Sequence, residues 1–232
     1  MTATEDTYVV AGCRPWNRDV FEETISRLPG SWTMVRDRDE LTVPLLESLA
    51  PRFVFFLHWS WLVPSDVWSR WECIGFHMGD LPRDRGGSPL QNLILDGRRT
   101  THLNALRITG EVDAGPVYLV RPISLDGRAE DIYRRAGELS ADMIAEIIAD
   151  HPMPVPQGSE PSRFRRRRPE QSELPENLTI EQAHDFIRML DAEGYPRAFL
   201  DLGRLRLVFR DAELEGDTLT ARVSIHKRTE ET

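Results

Sequence analysis

A histidine, His77, stands in GFHMGDLPRDRGGSPL (75–90) between an apolar run and a loop rich in Gly, Pro and Asp. An imidazole there is placed for proton transfer near neutral pH, and equally for capping or packing. A carboxylate that could serve it is Asp113 in GEVDAGPVY, where Val112 and a small Ala-Gly-Pro turn make a poor setting for a merely solvated acid. On neighbouring strand ends the two can act as a base and its orienter, the carboxylate fixing the tautomer and stabilising the imidazolium. Two loop polars satisfied by backbone groups would look the same in sequence, so both readings stand at this level. No further ligand-type side chain lies at metal spacing around them, and no metal is implied. Cys13 and Cys73 are far apart with no CxxC pattern, so neither a zinc site nor a disulfide framework is expected.

Such a pair needs elements to carry it. TYVVAG (7–12) reads as a buried first strand followed by a loop, DVFEETISRLP has helical spacing, WTMVRD suits a second strand, and ELTVPLLESLAP a short helix or loop. RFVFFLHW is the most apolar stretch and fits a central strand buried on both faces. VPSDVWSRW has a serine-led helix start, and ECIGFHM is a strand that delivers His77 to its carboxyl end, where open α/β sheets place their sites. SPLQNLILDG predicts a helix with Ser88 as N-cap and Gly97 as its stop. THLNALRIT and VYLVRPISL follow as strands, and residues 129–151 carry the strongest helical periodicity. The alternation predicts an α/β domain with a largely parallel sheet over 1–152.

Beyond it the composition shifts. PMPVPQGSEP and FRRRRPEQSEL form a Pro- and Arg-rich linker over 153–178. A small α+β module follows over 179–232: an N-capped helix from about Thr179 to Ala192, then a β-hairpin turning near EGD. With 40% hydrophobic residues in 232, the chain suffices for one full core and a smaller appendage. The net charge of −9 disfavours general nucleic-acid or anionic-membrane binding, while leaving local basic patches open. The start lacks a basic leader and no later window is apolar enough to span a bilayer, so a cytoplasmic protein is expected. The strands RLRLVF and ARVSI could pair across a two-fold in a homodimer.

The run FHMGDLPRDRGGSPLQNLILDG followed by THLNALRITGEVDAGPVY resembles the signature of the folate-dependent formyltransferases. The resemblance rests on His77, Leu81-Pro82, Arg85-Gly86, Ser88-Pro89 and Asp113-Ala114-Gly115-Pro116, and covers roughly residues 50–150. It implies a Rossmann-like formyltransferase domain and 10-formyltetrahydrofolate as one-carbon donor, with catalytic roles at His77 and Asp113. It places Trp61, Leu62 and Val63, in FVFFLHWSWLVPSDVW, along the pterin pocket with Asp113, and His58 in the same loop. Arg85, Gly86, Gly87 and Ser88 fall on the substrate side of the loop, Gly86 and Gly87 permitting a tight turn. The tail resembles that of short amino-sugar N-formyltransferases, in which residues after the catalytic domain approach a nucleotide-linked sugar. Within Arg165 to Arg168, Arg166 is the expected diphosphate partner, with Arg188 and Tyr195 as nucleotide contacts. His102, His151, His184 and His226 are isolated and expected at the surface.

One departure matters. Many members carry Asn-x-His, whose amide donates to the formyl oxygen, and here that position is Gly75. Losing such a donor typically costs about 10²–10³ in rate. Asn92, taken as the catalytic substitute, Asn104, a backbone N–H or a water could replace it. The leading expectation is transfer of formyl to the amine of a nucleotide-linked amino-deoxysugar, a small-molecule substrate with no nucleic acid or membrane involved. Formylation of another small amine in secondary metabolism, and a non-catalytic folate or nucleotide binder, are the alternatives.

Overall fold

A computed structural model describes residues 6–228. Its main sheet is built from the most apolar runs. Strand β1 (Thr7–Ala11) lies between β2 (Ser31–Val35) and β3 (Phe53–Phe56), parallel to both, and β3 pairs in parallel with β4 (Cys73–Met78). β5 (Thr100–Arg107) then runs antiparallel to β4, and β6 (Val117–Ser124) completes the order β2-β1-β3-β4-β5-β6. All four residues of β3 are buried, as a central strand covered on both faces requires. Val9, Val54, Leu46 and Cys73 meet in one core cluster against which Trp59 and Val63 pack.

The helices start and stop for local reasons. Helix α1 (Pro15–Glu23) has proline at its first position, and the Asn17 side chain accepts from the Arg14 N–H at 3.1 Å. In α2 (Val43–Leu49) Thr42 Oγ1 accepts from the Leu45 N–H, and left-handed Ala50 ends the helix. Helix α3 (Ser65–Trp68) is a single turn with Pro64, not a serine, at its N-cap. α4 (Pro89–Leu95) begins after Ser88 and Gly97 follows its end with a φ of 74°. Ser88 itself sits at φ 52° and makes no side-chain cap bond; its Oγ instead accepts from the Arg167 N–H at 3.1 Å. α5 (Ala129–Asp150) carries Glu130 and Asp131 in its first turn, the acidic end that a helix dipole favours. α6 (Ile180–Arg188) opens on a capping box between Thr179 and Gln182.

The tail holds one strand that the sequence reading left as connection. β7 (Phe199–Leu202) pairs antiparallel with β8 (Leu205–Glu215), which pairs with β9 (Thr218–Lys227) around the turn at Gly216-Asp217. Five residues between the GYPR turn and Gly203 give too short a run to show alternation. A bulge between Arg210 and Glu213 brings Asp211 to φ 51°.

Contacts group the chain into two compact units, each assembled from separate stretches. One comprises residues through Gly86, Thr101–Ile123 and Tyr133–Arg163; the other comprises Gly87–Thr100, Ser124–Ile132 and residues from Phe164 onward. The Pro-rich stretch expected as linker is therefore divided between them. Its first part joins the first unit because Val155 and Val117 exchange backbone hydrogen bonds at 2.8 Å. No helix among the described residues is long and apolar enough to cross a membrane.

Gly115 fixes how the loop before β6 closes on β5. A Cβ there would fall 1.8 Å from the Arg107 carbonyl oxygen, while Arg107 N–H donates to Pro116 at 2.9 Å. Gly115→Ala must shift this backbone and is expected to destabilise the protein by about 1–3 kcal/mol or more, read as a lower urea midpoint at unchanged m-value.

Candidate active site

His77 is carried near the end of β4 and is 7% exposed. Its Nε2 lies 2.7 Å from the carbonyl oxygen of Asp84, which can only accept, so Nε2 carries the hydrogen. Its Nδ1 lies 3.4 Å from Asp113 Oδ2. Both ring nitrogens thus face protein oxygens. Asp113, at φ 53°, also accepts the Gly86 N–H at 2.9 Å on Oδ2, and Oδ1 has no protein partner among the described residues.

The loop after His77 is stapled at several points. Asp84 Oδ2 accepts the Asp80 N–H at 3.0 Å, and His102 Nδ1 meets Asp80 Oδ1 at 2.7 Å, so His102 is at the surface, as expected, and also braces the loop. Asn104, opposite His77 in the β4–β5 register, donates to the carbonyls of His77 at 3.1 Å and Gly79 at 2.7 Å. Gly79, at φ 150°, has no room for a side chain, since a Cβ would meet the Asp84 Cβ at 2.8 Å. Leu81-Pro82 is a cis peptide.

The Asp113 turn has its own strut. Gln157 Nε2 donates to the carbonyls of Asp113 and Gly115, both at 2.8 Å, while its Oε1 accepts from Arg85 Nε and Nη2 at 3.1 and 2.8 Å. Arg85 is 6% exposed, and its Nη1 lies 3.6 Å from Glu111. It therefore holds the turn instead of reaching for substrate, which corrects the substrate role expected of it. Gln157 was not singled out in the sequence; a glutamine in a Pro/Gly stretch carries no periodic signal. Gly86, at φ 102°, supplies its N–H to the Asp113 carboxylate.

Along the loop after β3, Trp61 meets Trp59 edge-on at 4.9 Å, Val63 packs on the core and Leu62 is 79% exposed. His58, at φ 46°, lies between Trp16 and Tyr133 with ring centroids 5.6 and 4.3 Å away. Burial, assisted by the Arg14 charge, pushes its pKa down to about 3. Cys13 Sγ lies 3.4 Å from Ser60 Oγ, and burial pushes the Cys73 thiol up to about 12.

The remaining expected residues belong to the second unit. Both amide hydrogens of Asn92 go to backbone carbonyls, those of Gly87 at 3.1 Å, Ser88 at 3.0 Å and Arg165 at 3.3 Å, so this side chain is a structural brace and not a free donor. The same holds for Asn104 in the first unit. Gly87 admits Arg166, whose Cβ would lie 2.6 Å from a Cβ at 87; Arg166 is exposed, as are Arg165 and Arg168. Arg188 is buried, held by Asp185 and by the carbonyls of Leu125 and Gly127 at 2.6 and 2.8 Å. Tyr195 is half-buried, its N–H on the Ala192 carbonyl. A cavity of about 460 Å³ in this unit is lined by Arg99, Arg128, His184 and Arg188 among others; burial lowers the His184 pKa. Among the described residues no group of three His, Cys, Asp or Glu could hold a metal.

Residues 169–226 match a family model described as the C-terminal domain of methionyl-tRNA formyltransferase. A methionyl-tRNA formyltransferase from Rickettsia felis is 25% identical over 129 residues, covering 53% of this chain and 43% of that one. The chain thus matches under half the length of such curated relatives. The solved structure of a methionyl-tRNA formyltransferase from Clostridium thermocellum is 38% identical with a TM-score of 0.91, covering 96% of this chain and all of that one. A sugar N-formyltransferase from a Shewanella species shares the fold at 12% identity and TM-score 0.60, over 97% of this chain and 99% of that one. The chain belongs to the formyltransferase family.

The His58 environment has a pH signature. Its ordinary value is 6.5 and its folded value about 3, so between these the unfolded chain binds a proton that the folded one does not. Stability therefore falls as pH drops from 6.5 toward 3, by at most about 1.4 kcal/mol per unit from this group. In His58→Asn, which keeps a residue tolerant of positive φ, urea titrations at several pH values should show a shallower acid limb.

Proposed function

We propose that this formyltransferase transfers the formyl group of 10-formyltetrahydrofolate to the amine of a nucleotide-linked amino-deoxysugar. What carries the reading is the His77–Asp113 pair, with one carboxylate oxygen anchored by the Gly86 N–H and Nδ1 and the other open. The loop of Trp61, Leu62 and Val63 after β3 suits the donor, since a wall of indole and aliphatic groups accepts a flat heteroaromatic ring.

The neutral amine attacks the formyl carbon and a tetrahedral adduct forms at that carbon. Asp113 Oδ1 takes the ammonium proton, and the gained charge is shared with His77 through Nδ1. Collapse breaks the bond to N10, which takes that proton back from Asp113 and leaves as tetrahydrofolate. This assigns first contact to Asp113, the more exposed of the two at 23% against 8% for the side chains, and makes the imidazole the relay behind it. Holding donor and amine in contact supplies much of the acceleration. With Asn92 and Asn104 committed to carbonyls, the oxyanion donor comes from backbone N–H or water beside Gly75. Exposed Arg165, Arg166 and Arg168 are suited to a diphosphate.

A second acceptor, the aminoacyl group of a charged tRNA, is favoured by the 38% identity to the Clostridium thermocellum protein and by the matched tail domain. Against it stands the net charge of −9. The deciding assay follows N-formyl product by mass with the folate donor, offering nucleotide-linked 3- and 4-amino sugars and methionyl-tRNA in parallel. Formylated sugar supports the reading; formylated methionyl-tRNA alone moves it to the second acceptor; no product with either, despite folate binding, overturns it.

Asp113→Asn is expected to lower kcat by about 10²–10⁴ with little change in KM. Gly75 lies on the same face of β4 as His77, and a Cβ there would meet nothing closer than Ile108 at 3.4 Å. Gly75→Asn should therefore fold and, by adding a donor, raise kcat by up to about 10²-fold.

A further inference from the structure

Residues 155–163 run between the long helix α5 and the arginine cluster at 165–168, and their polar groups meet both halves of the His77–Asp113 pair. Every residue concerned belongs to the first unit. On the histidine side the Ser162 carbonyl accepts the Arg85 N–H at 3.2 Å, and Ser162 Oγ accepts the Asp84 N–H at 3.4 Å. This fastens the backbone whose Asp84 carbonyl takes the hydrogen of His77 Nε2. On the carboxylate side stands Gln157, flanked by Val155, which is locked to Val117, and by Arg163, which reaches Glu111.

One amide makes all four bonds of Gln157, and chemistry fixes which way it faces. A guanidinium can only donate and a backbone carbonyl can only accept, so Oε1 takes the two Arg85 hydrogens and Nε2 gives both of its own to the carbonyls of Asp113 and Gly115. Those carbonyls bracket Ala114 and hold the turn in which Asp113 adopts φ 53°, a region that a residue with a side chain keeps only when its surroundings impose it. Contacts of the carboxylate itself are a weaker guide: Gly86 N–H at 2.9 Å, and His77 Nδ1 at 3.4 Å, long for a hydrogen bond.

We propose that Gln157 is a positioning residue for formyl transfer, acting through Asp113: its amide holds the turn that presents the carboxylate to His77 and to the incoming amine, and Arg85 holds the amide. The inference rests on the reading that Asp113 takes the amine's proton. Glutamine is the side chain the place requires. Glutamate would keep the length and the Arg85 bonds but set an acceptor against two carbonyl oxygens, and asparagine would keep the amide one methylene short of them.

The test measures formyl transfer, with the acceptor that the parallel assay identifies, in wild type, Gln157→Glu, Asp113→Asn and the double variant. Gln157→Glu is expected to lower kcat by about 10- to 100-fold with KM for donor and acceptor within about twofold, since misplacing a reacting group by about 1 Å costs on the order of 10². In the Asp113→Asn background the same change should cost less than about threefold, as a residue acting through Asp113 must; a merely structural loss would carry its full factor into both backgrounds. Far-ultraviolet circular dichroism checks the fold, and Gln157→Asn, which adds no charge, repeats the comparison if the glutamate variant unfolds. Wild-type kcat in both Gln157 variants alongside an impaired Asp113→Asn overturns the proposal and leaves the reading of Asp113 standing. Equal losses in both backgrounds overturn it as well. Full activity of Asp113→Asn, or no transfer to any acceptor, overturns that reading and the proposal with it.

Discussion

A buried imidazole with an oxygen acceptor at each ring nitrogen is the constraint around which the first unit is arranged. Nε2 must donate to Asp84, so the loop after β4 has to turn back within seven residues of His77. That tight return demands Gly79 without a side chain, a braced Asp80 and the Asn104 amide to satisfy the carbonyls the turn would otherwise strand. Nδ1 must face Asp113, and this requires the turn before β6 to press against β5, where only glycine fits at 115. The surroundings of this pair are made largely from backbone carbonyls and N–H groups, which reorganise little.

The division of labour in the proposed reaction follows from exposure. His77 is nearly sealed while Asp113 opens partly to solvent. The proposal therefore gives the more accessible group the incoming amine and sets the sealed one behind it. Arg85, despite its charge, belongs to the frame: its guanidinium sits on Gln157 and beside Glu111, which neutralises a cation that an open loop would have offered to substrate.

Strong apolar runs were legible from the sequence: TYVVAG, RFVFFLHW and ECIGFHM become β1, β3 and β4, and the periodicity of 129–151 becomes α5. So were the hairpin and its turn. Illegible were the features set by tertiary contact. Ser88 looked like a cap but follows the Arg167 backbone, Asn92 looked like a donor but fastens its own helix start, and Gln157 gave no sign at all. A polar side chain's type says that it will bond; which partner reaches it is decided by segments distant in sequence.

Gln157 has a further consequence for how the protein comes to be made. Contacts between residues far apart in the chain form late, since loop closure must precede them. The strut under Asp113 bridges Arg85, Asp113 and a residue beyond the long helix α5. During synthesis His77 and Asp113 both emerge well before the amide that struts the Asp113 turn, so a chain halted short of residue 157 lacks these hydrogen bonds. The turn is fastened only when the segment that closes the first unit has been translated.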